Sequence, residues 1–213
     1  MSSRGQIVRK KRSTNGVVAR PLKVVVTGPF SAGKTTLIKT ISEVAIVGTE
    51  RDITDETKSV KARTTVAMDF GRITFAEDLT LFIFGTPGQR RFEVMWEILS
   101  EGMLGFILLV HAGDERSIEE ASHILDTFRE YADVPYVIGV SHIDEVDEEQ
   151  DVVLAKVREV LETPEYVGVI PCDPRKREDV KALVLEILLG VMQRLELADS
   201  EAGAEPATVE ESA

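Results

Sequence analysis

Residues 28–36 read Gly28-Pro29-Phe30-Ser31-Ala32-Gly33-Lys34-Thr35-Thr36, which matches the phosphate-binding pattern G-x-x-x-x-G-K-[ST]. The two fixed glycines let the main chain fold closely around a phosphate chain, and the helix that follows points its positive end at that chain. In this pattern Lys34 reaches the β- and γ-phosphates, and the Thr35 hydroxyl binds Mg²⁺. The sequence therefore predicts that all nine residues contact a nucleotide.

The residues on either side of this loop have the periodicity that the motif requires. Leu22 to Thr27 is rich in valine, which predicts a strand, and Lys34 to Val44 carries apolar residues at helical spacing. Strand, glycine loop and helix in this order favour a phosphate site over the alternative, a purely structural glycine turn.

Strands and helices alternate along the rest of the chain, apart from an irregular loop at Ala45–Arg63. Further strands are predicted at Thr65–Phe75, Leu79–Phe84, Leu104–Val110, Tyr136–Val140 and Tyr166–Ile170, and further helices up to about Ser100 and at Ser117–Tyr131, Glu149–Leu161 and Arg177–Leu195. The short connection at 76–78 predicts an antiparallel hairpin. We therefore expect an α/β fold of the three-layer P-loop NTPase type: a mostly parallel six-stranded sheet with one antiparallel edge strand and helices on both faces.

Composition limits the function classes. The chain has 213 residues, of which 43% are apolar, enough for one domain with a core. A net charge of -12 argues against a nucleic-acid partner. Cys172 is the single cysteine, which excludes a disulfide framework and fits a reducing, cytoplasmic compartment.

The charge is distributed unevenly between the two ends. Residues 1–23 contain seven bases and no acid, whereas residues 196–213 contain six acids and no base. Neither end has apolar periodicity, so we expect a basic disordered arm at 1–20, one domain at 21–196 and an acidic disordered tail at 197–213. The basic arm either aids solubility or touches an anionic membrane face or an acidic partner, so a peripheral membrane location stays open.

Two further segments resemble the motifs of the small Ras-like GTPases. Residues 65–70 read Thr-Val-Ala-Met-Asp-Phe, similar to T-[IV]-G-x-D-F at the start of that family's second strand. Residues 85–89 read Gly-Thr-Pro-Gly-Gln, similar to D-T-A-G-Q after its third strand. The resemblance extends over about residues 22–195. It implies a G domain, monomeric when alone, that binds GTP or GDP with Mg²⁺.

The resemblance also implies roles for single residues. Thr65 corresponds to the switch I threonine that meets the γ-phosphate and Mg²⁺, Gly88 to the switch II glycine, and Gln89 to the glutamine that orients water. Arg63 is either an arginine delivered to the phosphates by its loop or an ordinary solvated side chain. The predicted catalytic residues are Lys34, Gln89 and Arg63, and the predicted metal ligands are Thr35 and Thr65.

A third resemblance concerns the nucleotide base. Ser141-His142-Ile143-Asp144 follows the fifth strand, where the family has N-K-x-D. The Asp144 carboxylate would accept both the N1–H and the exocyclic amine of guanine, a pair of donors that adenine lacks. The imidazole of His142 would stack on the base or be an ordinary loop side chain. Cys172-Asp173 lies where the family has a loop whose backbone meets the guanine oxygen.

Several positions depart from the Ras pattern. Gly85 replaces an aspartate that holds Mg²⁺ through a water, which suggests a different metal arrangement. Phe30 would crowd an arginine finger from a partner, and Ser141 with His142 replaces asparagine and lysine. This combination resembles the prokaryotic MglA-like and conservon-type GTPases, which implies a roadblock-family regulator or activating protein as partner.

The sequence thus favours a GTP-binding molecular switch with slow, Mg²⁺-dependent hydrolysis, which signals through switch I (about 46–65) and switch II (about 85–95). Two alternatives stay open. One is a nucleotide-loaded scaffold without catalysis, since one carboxylate and two base-reading residues are missing. The other is a P-loop kinase that phosphorylates a small molecule, against which stands the lack of an arginine-rich lid segment.

Overall fold

The computed structural model describes residues 22–44, 68–76 and 79–202. Six strands lie within these ranges: β1 (Leu22–Thr27), β2 (Asp69–Ala76), β3 (Leu79–Gly85), β4 (Gly105–His111), β5 (Tyr136–Ser141) and β6 (Val169–Pro171). They form one sheet in the order β2-β3-β1-β4-β5-β6. All neighbouring pairs are parallel except β2 and β3, which are antiparallel. The predicted sheet is confirmed.

The same described ranges contain five helices: α1 (Lys34–Ile41), α2 (Glu93–Ser100), α3 (Glu115–Tyr131), α4 (Gln150–Val160) and α5 (Arg177–Ala202). A 3₁₀ turn, Arg90–Phe92, leads into α2, and another, Ile143–Glu145, follows β5. Among the described helices, none combines the length and the apolar character needed to cross a bilayer.

The core has two layers, one on each face of the sheet. Leu37 of α1 and Leu183 of α5 pack on one face, whereas Trp96 of α2 and Phe128 of α3 pack on the other. The residues 24–26 of β1 are all buried, and they alternate between the two layers. Because β1 is buried on both faces of the sheet, its sequence is a continuous apolar run.

The largest differences from the predicted helix boundaries are at the C-terminal ends of α1 and α5. Helix α1 ends at Ile41 instead of Val44, because Ser42 is extended and its hydroxyl accepts a hydrogen bond from the backbone N–H of Arg72 in β2. Helix α5 continues from Leu195 to Ala202. Residues 197–202, which the sequence analysis places in a disordered tail, are helical, since this stretch contains good helix formers and reaches no glycine until Gly203.

The strand boundaries in the structure differ from the predicted ones by a few residues. Strand β6 begins at Val169 instead of Tyr166, because the chain turns at Pro164, whose carbonyl accepts the N–H of Val167. Three predicted segments lie outside the described residues: the basic arm 1–20, the loop Ala45–Arg63 and the start of the second strand.

One edge of the sheet carries the carboxyl ends of its five parallel strands. These ends are Thr27, Gly85, His111, Ser141 and Pro171. Because β2 runs the opposite way, its first residue, Asp69, lies at the same edge and pairs with Gly85. Ligands of open α/β sheets bind at this edge, so the fold brings the phosphate loop, the loop after β3 and the loop after β5 to one place.

Candidate functional site

Two glycines of the phosphate loop have backbone conformations and close contacts that leave no room for a side chain. Gly28 has φ 141°, and a Cβ there would lie 2.2 Å from the carbonyl oxygen of Leu109 in β4. Gly33 caps α1 with φ 98°, and a Cβ there would lie 2.7 Å from Cγ of Pro174. Both positions therefore require glycine, for the conformation and for the close packing.

Lys34 lies at the centre of this loop. Its side chain is only 8% exposed, and its Nζ donates hydrogen bonds to the carbonyl oxygens of Gly28 at 2.8 Å and Pro29 at 2.5 Å. Burial lowers the pKa of Lys34 to about 8, against a smaller opposing effect of Asp69. The loop thus encloses a cation at the point where the motif binds phosphates.

Gly88, on the loop after β3, lies directly on the phosphate loop. A Cβ at this position would lie 2.7 Å from Nζ of Lys34, 2.8 Å from the backbone nitrogen of Phe30 and 2.9 Å from the carbonyl carbon of Pro29. A side chain at position 88 would therefore push the two loops apart. The structure brings Gly88 and Lys34 together, and the contact of either residue with a phosphate stays a prediction.

Buried hydrogen bonds fix the loop that carries Gly88. The hydroxyl of Thr86 donates to the hydroxyl oxygen of Thr27 at 2.9 Å, and both residues are buried. Trp96 of α2 donates its indole N–H to the carbonyl oxygen of Pro87 at 2.9 Å. The side chain of Gln89 is exposed just beyond these anchors, where it can be reached by solvent water.

Thr35 is the second residue of α1. It is exposed, and its hydroxyl donates a hydrogen bond to Oδ2 of Asp69 at 2.5 Å. Hydroxyl and carboxylate oxygens suit Mg²⁺, which proteins hold with one or two such groups plus substrate phosphates. Within the described part of the chain, no group of three or more His, Cys, Asp or Glu side chains is arranged to hold a metal. The residues present therefore fit Mg²⁺ bound together with a phosphate chain.

Ser141, at the end of β5, connects the predicted base loop with the phosphate loop. It is fully buried, and its hydroxyl lies 3.0 Å from the carbonyl oxygen of Ala32 and 3.1 Å from that of Val110. The structure shows this residue as a link between loops; its contact with a base stays a prediction.

His142 has a left-handed backbone, with φ 57°. Its Nδ1 lies 2.9 Å from the hydroxyl oxygen of Ser141. Because the Ser141 hydrogen is directed to the two carbonyls, we assign the hydrogen of this contact to His142 Nδ1. The His142 ring stacks on His111, with centroids 3.8 Å apart and planes 3° apart. One face of the imidazole is therefore covered, and only the opposite face could stack on a base.

Asp144 presents its carboxylate to solvent. Its side chain is 66% exposed, and its Oδ2 lies 3.3 Å from Nη2 of Arg175. Arg175 binds Asp173 more closely, with Nε 2.8 Å from Oδ1. The hydrogen bond from Arg175 is the main reason that the pKa of Asp173 falls to about 2. Asp144 is thus an accessible acceptor, held at the rim by one cation.

Cys172 has no exposed thiol to offer a ligand. The residue is 2% exposed and belongs to the core layer under α1 and α5. Burial, with the nearby charges of Asp179 and Asp173, raises the pKa of the thiol to about 12. Its backbone N–H is also engaged, since it donates to the carbonyl oxygen of Val140 at 2.8 Å.

A family described as "Conserved hypothetical ATP binding protein" matches residues 47–197, which is more than half of the chain. The chain belongs to this family. The uncharacterized protein MJ1339 of Methanocaldococcus jannaschii is 34% identical over 124 residues, which are 58% of this chain and 71% of that relative. Together with the phosphate loop, membership of this family makes the chain a nucleotide-binding P-loop protein.

The family match begins after α1, so the phosphate loop 28–36 lies outside the matched residues. The match does include the other groups that the structure gathers at the sheet edge, among them Asp69, Gly88 and Asp144. The assignment of residues 28–36 as a phosphate loop therefore rests on their motif and backbone geometry. Family membership supports the rest of the site.

The structure places most of the predicted site residues at this one edge of the sheet. Gly28 to Thr36, Gly88 and Gln89 lie around the phosphate loop, and the predicted base residues lie on the two loops that touch it through Ser141 and Pro174. Thr65 and Arg63 lie outside the described residues, so their roles stay predictions.

Sequence reasoning missed Asp69, His111 and Arg175. Asp69 is part of the quoted Thr-Val-Ala-Met-Asp-Phe segment, and counting back through the hairpin at 76–78 would have paired it with Gly85. The stacking of His111 on His142 depends on a contact between two strand ends, which residue spacing does not reveal.

Proposed function

We propose that this protein is a GTP-binding switch that hydrolyses GTP slowly with Mg²⁺. The observation that carries the proposal is the contact of Gly88 with Lys34, because it places the loop after β3 against the phosphate loop. A loop in this position senses whether a terminal phosphate is present, which is how nucleotide switches report their state.

The binding of phosphates follows from the chemistry of Lys34. Its ammonium is now hydrogen-bonded to the loop carbonyls of Gly28 and Pro29, and a phosphate oxygen would be a stronger, charged acceptor for the same hydrogens. Thr35 would hold Mg²⁺, which neutralises phosphate charge when bound. We expect Lys34→Ala to remove nucleotide binding in equilibrium dialysis.

The proposed choice of guanine rests on Asp144. Its two carboxylate oxygens form a bidentate acceptor, and its loop is joined to the phosphate loop through the hydrogen bond of Ser141 to Ala32. Adenine would leave these acceptors unpaired, which costs binding free energy. Arg175 would then have to share Asp144 with the base.

Adenine is the second candidate, and the printed description of the family as ATP-binding favours it. Equilibrium dialysis with GTP, GDP and ATP at equal concentrations separates the two candidates. Tighter binding of GTP and GDP supports the proposal, whereas tighter binding of ATP removes the guanine assignment. Asp144→Ala should weaken GTP binding and leave ATP binding unchanged.

The proposed hydrolysis depends on Gln89, whose amide would orient the attacking water. Its exposed position next to Gly88 fits this role. In single-turnover assays, Gln89→Leu should abolish phosphate release without weakening GTP binding. If wild-type phosphate release already equals the background rate, the protein is a nucleotide-loaded scaffold instead, and release only on addition of an acceptor would indicate a kinase.

A switch needs a partner that reads its loops, and we propose a roadblock-family regulator. Phe30, on the phosphate loop next to Gly88, is 67% exposed and offers an apolar contact beside the switch. Binding of such a regulator to the GTP-loaded protein, but not to the GDP-loaded protein, would support this assignment. Equal binding to both forms would contradict it.

We also propose a cytoplasmic location. The sequence has one cysteine, and its thiol is buried and has a raised pKa, so the chain carries no feature that needs an oxidising compartment. Cell fractionation with a tagged full-length chain tests this, and recovery in a washed membrane fraction would show that the basic arm adds a membrane contact.

A further inference from the structure

We propose that Asp69 is the carboxylate that holds Mg²⁺ in this site, carried on β2 because position 85 of β3 is glycine. The inference rests on the proposed nucleotide binding and assigns a residue to its metal. Asp69 is the first residue of β2 and Gly85 the last residue of β3, and the two are direct partners in the antiparallel pair. A carboxylate on either strand would reach the same edge of the sheet.

The space between the strands admits only one of these side chains. A Cβ at Gly85 would lie 3.0 Å from Cβ of Asp69, 3.4 Å from its Oδ2 and 2.7 Å from Cδ1 of Ile38 in α1. The Asp69 side chain therefore occupies the volume that a residue at position 85 would need. The absence of a side chain at Gly85 makes room for the side chain of Asp69. The carboxylate that the Ras pattern has on β3 is therefore replaced by a carboxylate on β2.

The Asp69 carboxylate also lies against the hydroxyl that the phosphate-loop motif gives to Mg²⁺. Its Oδ2 is 2.5 Å from the hydroxyl oxygen of Thr35. Mg²⁺ has oxygen ligands at about 2.0–2.1 Å in octahedral geometry, which puts neighbouring ligand oxygens about 3 Å apart. A small movement would let both oxygens bind one ion, or let Asp69 bind it through a water.

Charge supports the same assignment. Among the described residues, Asp69 forms no ion pair with a Lys, Arg or His side chain. Asp69 lies close enough to Lys34 to affect its pKa. The negative charge of Asp69 raises that pKa, although the larger effect of burial lowers it. A carboxylate at the mouth of a phosphate loop repels phosphates unless a cation lies between them, which is the role of Mg²⁺.

The test measures how strongly Mg²⁺ slows the release of a fluorescent nucleotide, titrating Mg²⁺ against the full-length chain loaded with a guanine or an adenine analogue. Asp69→Asn keeps the shape and can still accept the Thr35 hydrogen bond, so the fold should persist. We expect this variant to lose about 10–100-fold in apparent Mg²⁺ affinity, the range for lost metal-supporting groups. Asp151→Asn, at an exposed position of α4, is the matched control and should behave as wild type.

An exchange variant makes the test specific. In Asp69→Gly/Gly85→Asp the carboxylate moves to β3 and its former position is emptied, so that only the flexible end of Ile38 has to shift. Mg²⁺ dependence should therefore return relative to Asp69→Gly alone. Electron paramagnetic resonance of Mn²⁺ bound with the nucleotide should change in Asp69→Asn and recover in the exchange variant. A purely structural role of Asp69 predicts no such recovery.

The outcomes separate the two proposals. If wild type binds nucleotide and Asp69→Asn keeps the wild-type Mg²⁺ dependence, the assignment of Asp69 is wrong and the proposed function stands. If wild type binds no nucleotide at any Mg²⁺ concentration, the proposed function fails, and the assignment falls with it.

Discussion

Ser141, the last residue of β5, lies with its hydroxyl 3.0 Å from the carbonyl oxygen of Ala32 in the phosphate loop. The two residues are 109 positions apart in the sequence, and both are fully buried. Pro174 adds a second link, since it packs on Gly33 and its carbonyl oxygen accepts the hydroxyl of Thr40 at 2.7 Å. The base loops and the phosphate loop therefore form one connected unit.

Removing the Ser141 hydroxyl should weaken this unit. Ser141→Ala leaves buried carbonyl oxygens without their donor, so the free energy of unfolding should fall by about 1–3 kcal/mol. Nucleotide affinity should fall too, because the base loop loses its connection to the phosphate loop. Urea denaturation and nucleotide titration measure both effects. Ser200→Ala, whose hydroxyl bonds Leu197 on an exposed part of α5, is the control and should change stability by less than about 0.5 kcal/mol.

The contact of Gly88 with the phosphate loop gives a second prediction. A methyl group in Gly88→Ala meets backbone atoms of Phe30 and Pro29 within 2.9 Å, so the loop after β3 must move outward. A displacement of about 1 Å lowers the rate of a positioned reaction by about 100-fold, and we expect a GTP hydrolysis rate reduced to that extent. Gly113→Ala is the matched control, because its nearest contact would be an ordinary 3.4 Å. Equal rates in both variants would contradict the role of Gly88.

The lowered pKa of Lys34 predicts that nucleotide binding takes up a proton at alkaline pH. Phosphates bind the charged ammonium, whereas the unbound protein loses this proton as pH rises through about 8. Affinity should therefore be constant at lower pH and fall by up to about tenfold per pH unit above 8. Calorimetric titration in buffers of different ionisation enthalpy measures the proton uptake.

Lys34→Arg is the control for this pH dependence. Its guanidinium stays charged throughout the range, and titration of the nucleotide itself affects both proteins equally. The difference in slope between wild type and Lys34→Arg thus reports Lys34 alone. Parallel pH profiles of the two proteins would show that Lys34 does not titrate near pH 8.

The stacked histidines give a fourth prediction. Burial is the main cause that lowers the pKa of His111, and the neighbouring His142 lowers it further. In His142→Asn the pKa of His111 should rise, because one of the two causes that lower it is removed. NMR titration of the imidazole signals measures this, with His123→Asn as the control that should leave His111 unchanged.

The lowered pKa of His111 also predicts how the free energy of unfolding changes with pH. As pH falls below 6.5, the unfolded chain takes up a proton at position 111 before the folded chain does. The stabilisation is therefore complete above pH 6.5 and is lost as pH falls below it. A free energy of unfolding that rises on acidification across this range, assigned to His111 by substitution, would contradict the prediction.

Most of the fold could be predicted because its signals are local. The valine-rich β1, the glycine loop and the helical spacing of α1 are read directly from residues 22–41, and the short hairpin connection gave the antiparallel pair of β2 and β3. The ends of elements were less predictable. Whether α1 stops at Ile41 depends on the hydrogen bonds of Ser42 and Glu43 to Arg72, which is distant in sequence.

The site was predictable where a motif fixes both residue type and backbone, as at Lys34 and Gly88. It was less so where contacts between strands decide a role. The sequence showed that an aspartate is absent at position 85 and allowed Asp69 to be paired with it, but only the structure shows that the Asp69 side chain lies in the space beside Gly85. Likewise, the burial of Ser141 and Cys172 depends on tertiary packing.

The most direct test of the central claim is the identity of the nucleotide that the full-length protein binds. The protein is purified with Mg²⁺ present, denatured, and its released nucleotide is identified by chromatography and mass spectrometry beside Lys34→Ala and Asp144→Ala. We predict GDP or GTP from wild type, none from Lys34→Ala, and a loss of guanine nucleotide from Asp144→Ala. Recovery of adenine nucleotides, or of the same nucleotide from wild type and Lys34→Ala, would contradict the account.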